Sequence, residues 1–423
     1  MAAPSISSSS SSPISAPASF GRGTWRDLDW VFIFLVMVLS IWGCATIYSA
    51  SRPADETFIT APRAGGSGAV ASRPGNERAL TDLRSSRTQR SNDATKQAMF
   101  IVIGLAAMCF IAFADYQFLM HLQAPVYLGN LLLLIAVLIP GIGKFVNGAR
   151  SWIPIGPFLL QPAEFCKVAV IICLAAWVCR RQDKMRKFST LLWSLAYIAI
   201  PLLLVLKQPD FGTTLSILSI WFGMMFFGGA HLRHLGAIAA VGILLFGVAW
   251  KVGVLKDHQK TRLSVFLTRN PTREQMREGG YQIEQSQIAI GGGQISGQGF
   301  TKGMQNRAKY VPENATDFIF TVVAEEWGFI GGALLLFCYL ALLLRAASAA
   351  ISTDNYFGVL IAGGFTALVA FHCIVNLGMT MRVMPITGVP LPFFSYGGSS
   401  YVAFSLCAGL VQSIARSRRR VGL

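Results

Sequence analysis

The stretch PENATDFIFTVVAEEWGFIGG, Pro312 to Gly332, sets Asp317 against a Phe-Ile-Phe run and puts Glu325 and Glu326 inside an apolar helical pattern. Carboxylates in such a setting are costly, face a cavity or a partner, and mark functional pathways. On a helix starting near Thr316, Asp317, Thr321 and Glu325 recur at i, i+4 and line one stripe, with Asp317 at the mouth and Glu325 deeper. A carboxylate beside basic groups can act as a general base, its pKa raised by apolar surroundings. The competing reading is structural: Thr316 or Asp317 caps the helix, and the glutamates are paired. Glu326, on a different face, fits that second reading at least as well.

Four other stretches carry polar chemistry. In ARSWIPIGPFLLQPAEFCK, the prolines and Trp152 predict a short segment lying on a membrane surface, and Pro162 opens a helix where its missing N–H costs nothing. Glu164 and Lys167, three apart, share a face and read first as an ion pair. Lys167 and Arg150 also suit a phosphate, Arg as a fork and Lys as a point charge. KQPDFGTT puts Gln208 and Asp210 in a tight turn, which turn chemistry alone explains. YQIEQSQIAIGGGQISGQGF predicts one short amphipathic helix followed by glycines able to approach a ligand closely. PITGVPLPFFSYGGSS cannot be a continuous helix, and at membrane depth such backbone must be buried or line a cavity. It offers the hydroxyls of Ser395, Ser399 and Ser400. P-loop, HExxH, Rossmann and Ser/His/Asp patterns are missing from the sequence.

Composition says what must position these residues. Of 423 residues 53% are hydrophobic and only 13% charged, where a soluble domain carries about a quarter. Apolar runs near 30–50, 97–114, 124–140, 164–180, 189–206, 212–229, 235–252, 317–344, 357–378 and 399–415 predict an all-α polytopic membrane protein of about ten spans. The first run is too long for a signal-peptide core and reads as an uncleaved helix. The net charge of +16 falls in loops and tails and not on one stripe, which suits anionic head groups and not nucleic acid. The eight cysteines lie mostly within apolar runs and read as small buried hydrophobes.

Residues 1–24 are a Ser/Pro/Ala tail, 51–96 a low-complexity loop, 253–316 a large loop before the eighth span, and 417–423 a basic tail. The turn RRQDKMRK at 180–187 and the RSRRR terminus, taken as cytoplasmic, put both termini inside. That topology collects 143–164, 207–212, 253–316 and 379–398 outside. The basic 51–96 loop, also outside, argues against it but is discounted as long and low in complexity. The resulting outer cavity suits a phosphorylated, lipid-borne substrate, and the residues alone do not separate a transferase from a transporter.

Five motifs in this order, GARSWIPIGPFLLQPAEFCK, KQPDFGT, QIAIGGGQISGQGF, VPENATDFIFTVVAEEWGFIGG and GVPLPFFSYGGSS, resemble the SEDS family of shape, elongation, division and sporulation proteins, the RodA and FtsW type. The resemblance spans roughly residues 25–416. It implies a ten-span peptidoglycan glycosyltransferase of the bacterial cytoplasmic (inner) membrane that polymerises lipid II. It also implies a class B penicillin-binding protein, a transpeptidase, as partner, alongside other elongation-complex membrane proteins. GVPLPFFSYGGSS looks more like the elongation member than the division member. Asp317 matches the family's essential aspartate, the proposed general base. Arg150, Trp152, Glu164, Lys167, Gln208, Asp210, Glu325 and Ser395 match its substrate-binding positions. Two positions depart: Ala315 stands where members often have His, and Arg382 where a small residue is common. The implied reaction is inverting displacement at the anomeric carbon of a lipid-linked glycan, with Lys167, Arg150 or a divalent cation (Mg or Mn) neutralising the leaving pyrophosphate. No ligand spacing identifies a metal site. A division-type septal polymerase, a lipid II flippase and a scaffold that only positions the transpeptidase are the alternatives.

Overall fold

A computed structural model describes residues 25–52, 76–146, 149–156, 158–252, 266 and 280–421. The expected tail at 1–24, residues 53–75 of the first loop, nearly all of 253–279 and the last two residues lie outside them. The helices in chain order are α1 Trp30–Ala50, α2 Asn76–Phe113, α3 Gln123–Leu138, α4 Pro162–Cys179, α5 Phe188–Lys207, α6 Phe211–Phe227, α7 Leu232–Val252, α8 Tyr281–Gly293, α9 Met304–Arg307, α10 Ile319–Ile351, α11 Tyr356–Thr380 and α12 Gly398–Val421. Seven are long and apolar enough to cross a membrane, and Gln123–Leu138, Phe211–Phe227 and Leu232–Val248 are shorter apolar helices. These ten correspond one for one to the ten apolar runs.

Two features differ from the expectation, the starts of α2 and α10, and a third takes a form the sequence had left open. Helix α2 begins at Asn76, well inside the loop expected at 51–96; residues 76–103 contain neither Pro nor Gly to stop it. The segment at 144–160 is a three-stranded antiparallel sheet, β1 Lys144–Val146, β2 Ala149–Ile155 and β3 Phe158–Leu160, in that spatial order. Its alternating apolar and polar residues, broken by prolines, give the expected short segment the form of short strands. Helix α10 starts at Ile319, not near Thr316, and is capped by Phe318 without a side-chain hydrogen bond. Neither Thr316 nor Asp317 is therefore the cap.

Helix α10 is also broken. Gly328 takes φ 65°, ψ −160°, a region essentially confined to glycine. The break removes the intrahelical partners of backbone groups on both sides, and the 294–299 segment supplies replacements. Gln298 N donates to Glu325 O and Gly299 N to Glu326 O, both at 3.0 Å, while Phe329 N donates to Gln294 O at 2.8 Å and Ile330 N to Ile295 O at 3.2 Å. So close a backbone approach requires Gly293, where an added Cβ would stand 1.8 Å from Ala324 O. Gly293 and Gly297 of QIAIGGGQISGQG thus meet the backbone of α10.

Glu326 meets Ser49, the penultimate residue of α1, through a short carboxylate–hydroxyl hydrogen bond. The first two turns of α10 therefore stand level with or beyond the end of α1. A 33-residue helix is about 50 Å long, more than the roughly 30 Å of hydrocarbon. Glu325 and Glu326 lie in the first two turns or so of α10, on the short side of its break at Gly328.

Hydrogen bonds show which ends lie together. Asp29 N donates to Gln412 Oε1 and the Asp29 carboxylate accepts from Arg345, Ser413 Oγ donates to Ala114 O, and the Tyr356 hydroxyl donates to Gly228 O. These define one end of the bundle, near the basic 180–187 turn, at which the first and last described helices begin and finish. The other end gathers the sheet, the 207–212 turn, α8, α9 and the 379–398 loop.

Candidate active site at the carboxylate end

Asp317 occupies the turn just before α10 and is half-buried. Three successive backbone carbonyls around it are held from outside. Tyr396 N donates to Ala315 O at 2.9 Å, Ser395 Oγ to Thr316 O at 2.6 Å, and Asn376 Nδ2 to Asp317 O at 2.8 Å. Ser395 Oγ also accepts from Leu391 N. Asn376 Nδ2 reaches Val389 O at 2.7 Å as well. The 384–397 loop and α11 thus fix the main chain that carries Asp317. Because Asn376 is fully buried, Asn376→Ala leaves two inward carbonyls unpaired. An expected stability loss of about 1–3 kcal/mol is read by thermal unfolding in detergent.

The same loop bridges to the 207–212 turn. A methyl group added to Gly388 would stand 3.3 Å from Asp317 Oδ2, and one added to Gly212 would stand 2.8 Å from Thr387 O. Residues 387–388 therefore lie between Asp317 and the helix that Asp210 caps. Asp210 accepts from Thr213 N at 2.9 Å, Thr213 Oγ1 at 2.8 Å and Gln161 Nε2 at 3.1 Å. Burial raises its pKa above the ordinary carboxylate value; the Thr213 bonds and Lys167 oppose this, and Glu164 adds to it. Beneath the loop, His372 bridges Pro390 O at 2.8 Å and Ser216 Oγ at 3.0 Å.

Glu164 and Lys167 form the ion pair expected from their spacing, 2.8 Å apart, with side chains only 5% and 1% exposed. The Lys167 ammonium lies 5.2 Å from the Phe404 ring centroid. A ligand phosphate reaches Lys167 only if this pair opens. Glu164→Gln leaves a buried ammonium without its counter-charge, an expected loss of about 3–5 kcal/mol. The Glu164→Leu/Lys167→Met double variant, which removes both charges, is expected to unfold at a higher temperature than Glu164→Gln in the same assay.

Gln208 is buried, donating to Leu134 O at 3.4 Å. Arg150 and Trp152 lie on β2 opposite Phe145 and Lys144, both half-buried, and Arg150 Nε has no hydrogen-bond partner. Leu159 O and Gln161 N both bond Ser399, joining this sheet to the start of α12. Glu325 is fully buried and accepts from Gln305 N at 2.6 Å, Asn306 N at 3.1 Å and the Asn306 amide. It anchors α9 on α10, while Thr321 bonds Asn306 Oδ1 and Phe318 O. The structure thus brings Asp317 and Ser395 together beside the turn of Gln208 and Asp210, and directs Glu325 toward the loop below. Among the described residues no three His, Cys, Asp or Glu side chains converge as metal ligands. Sequence reasoning missed Asn376 and His372. The signal was there, two polar side chains one turn apart in the otherwise apolar FHCIVNLGMT.

The family model for the FtsW, RodA and SpoVE cell cycle proteins matches residues 79–420. The chain belongs to this family. The peptidoglycan glycosyltransferase RodA of Treponema pallidum is 32% identical, covering 77% of this chain and 90% of its own length. Stage V sporulation protein E of Bacillus subtilis is 34% identical over 77% and 87% respectively. A probable peptidoglycan glycosyltransferase FtsW of Geobacter sulfurreducens is also 34% identical, over 76% and 84%. Among solved structures, a chain of a peptidoglycan synthase complex that coordinates polymerization and crosslinking superposes with TM-score 0.69 at 30% identity, covering 93% of this chain and 99% of that one. The rod shape determining protein RodA of Thermus thermophilus superposes with TM-score 0.60 at 26% identity, covering 93% and 98%. Family membership and these shared folds make this chain an all-α polytopic membrane protein, with the small sheet as a local addition.

Proposed function

We propose that this family member is a peptidoglycan glycosyltransferase that polymerises lipid II during cell elongation, with Asp317 as its general base. One observation carries the reading. The 384–397 loop fixes the Asp317 backbone through Ser395 and Tyr396 and abuts the Asp210-capped helix through Thr387 and Gly388. Two carboxylates more than a hundred residues apart are thereby gathered at one end of the bundle, where a lipid-borne substrate arrives from the bilayer.

Asp317 takes the proton of the 4-hydroxyl on the incoming lipid II sugar. That oxygen bonds to the anomeric carbon of the lipid-linked glycan, the bond from that carbon to the pyrophosphate breaks, and the configuration inverts. Arg150, half-buried with Nε unpartnered, offers a fork to the departing pyrophosphate. Lys167 adds positive charge behind it when its buried pair with Glu164 opens. Ser395 and Asn376 keep the base in register, Gln208 holds the neighbouring turn from within, and Asp210 caps the helix beside the approach. A transporter expects ionisable groups on both sides of a midplane site; here the carboxylates that lie away from the basic loops gather at one end, favouring the enzyme. That end faces outward, the basic 180–187 turn and both termini face the cytoplasm, and a class B penicillin-binding protein crosslinks the strands.

The elongation role is tested by depleting the protein in its own rod-shaped host. Rounded cells are the expected result, and long undivided filaments would assign it to division. Translocation is tested by reconstituting the protein in vesicles loaded with fluorescent lipid II. The label is expected to stay on its original leaflet.

A further inference from the structure

A cleft stands at the end of the bundle opposite the 207–212 turn. It has a volume of about 540 Å³ and opens between the end of α4 and the start of α5. Its lining along α5 runs from Ser189 to Tyr197, so its near wall is about 15 Å from the 207–212 turn along the helix. We infer that it binds the phosphate headgroup of an anionic phospholipid from the surrounding bilayer.

Cation, wall and helix terminus agree. Arg181 and Lys184 both line the cleft. The Arg181 guanidinium stacks 4.0 Å from the Trp177 ring centroid and spends one N–H on Trp177 O at 3.1 Å. A guanidinium has five N–H donors in a fixed plane, so stacking orients those that remain. The wall is rigid: Trp177 stacks on Tyr197 at 5.9 Å and Tyr197 on Tyr127 at 4.7 Å. The first turn of α5 contributes Ser189 and Thr190 to the lining, and its cap, Lys187, makes no side-chain hydrogen bond. A helix N-terminus favours an anion. The 180–187 turn holds five basic residues against the single acid Asp183.

The choice of a lipid over a free anion rests on what surrounds the cleft. Trp193, another lining residue, is 69% exposed, and Leu192, Ile200 and Leu203 continue an exposed apolar face along α5. In a membrane protein that face meets acyl chains, and an exposed Trp at a helix end marks the headgroup level. A headgroup in the cleft with its chains along α5 satisfies both parts at once. Basic pockets between spanning helices are known to take such headgroups.

Native mass spectrometry of the full chain in detergent tests this, with phosphatidylglycerol and phosphatidylcholine titrated separately. Wild type is expected to retain one phosphatidylglycerol beyond the loosely held annulus. Arg181→Gln/Lys184→Gln is expected to weaken it about tenfold or more. The charge-matched control Lys207→Gln/Lys251→Gln is expected to match wild type, and Arg181→Lys to recover part of the affinity. Brominated phosphatidylglycerol should quench tryptophan fluorescence more in wild type than in Arg181→Gln/Lys184→Gln. Equal retention of both lipids, equal retention by the double variant and wild type, or displacement by millimolar inorganic phosphate would each overturn the assignment. Displacement by an equimolar polyprenyl pyrophosphate would also overturn it, giving the cleft to the substrate lipid.

Discussion

Gly328→Ala is expected to leave little folded protein in the membrane. The position needs φ 65° and ψ −160°, which costs a side-chain-bearing residue at least about 1–3 kcal/mol. The added Cβ would also stand 2.4 Å from Gly297 N and 2.6 Å from Ile295 O. Those atoms belong to the segment whose backbone replaces the lost helix bonds of α10, so relief by movement breaks the bonds that hold the break open. The same segment leads into α9, which Glu325 anchors. Gly129→Ala is the contrasting change: an added Cβ there meets nothing within 4 Å, and alanine is the better helix former. Fluorescence-detected size-exclusion of the two variants should show a monodisperse peak for Gly129→Ala and aggregate or no peak for Gly328→Ala.

Asp317→Asn is expected to abolish glycan polymerisation while the protein folds normally. The bonds that Tyr396, Ser395 and Asn376 make to residues 315–317 end on backbone carbonyls, which an Asn keeps. Loss of a positioned general base lowers the rate by about 10²–10⁴. Asp317→Glu keeps the carboxyl and displaces it by one methylene, a misplacement of about 1 Å that costs on the order of a hundredfold. Asn below Glu below wild type, all three with the same melting temperature, is the ordering a base requires. A merely structural Asp317 would instead lower the melting temperature in step with activity.

Much of this architecture is legible in the sequence because a bilayer forces length and apolarity on every span. The ten runs, the Glu164–Lys167 pair and the helix start at Pro162 all follow from local rules. What was not legible depends on contacts between distant segments. The strap of residues 294–299 across Gly328 could not be foreseen, since only the broken helix explains why Gly293 and Gly297 must lack side chains. Asp317, Thr321 and Glu325 have the spacing of one helical face, yet the tight turn bonded to Ser395 and Asn376 delays the helix to Ile319. Glu325 looked like cavity chemistry from its i, i+8 relation to Asp317, while its carboxylate is occupied by the amides of Gln305 and Asn306. Trp152 and Arg150 were placed on a surface segment; their pairing with Lys144 and Phe145 across a sheet depends on residues on both sides of a turn.

The most direct measurement is strand formation from labelled lipid II by purified protein together with the proposed transpeptidase partner, whose own chemistry is blocked. Wild type and Asp317→Asn are run side by side on a gel, with melting curves for both. A ladder of glycan strands from wild type and none from an equally stable variant is the expected result. Equal ladders from both would remove Asp317 from the mechanism and contradict the central claim.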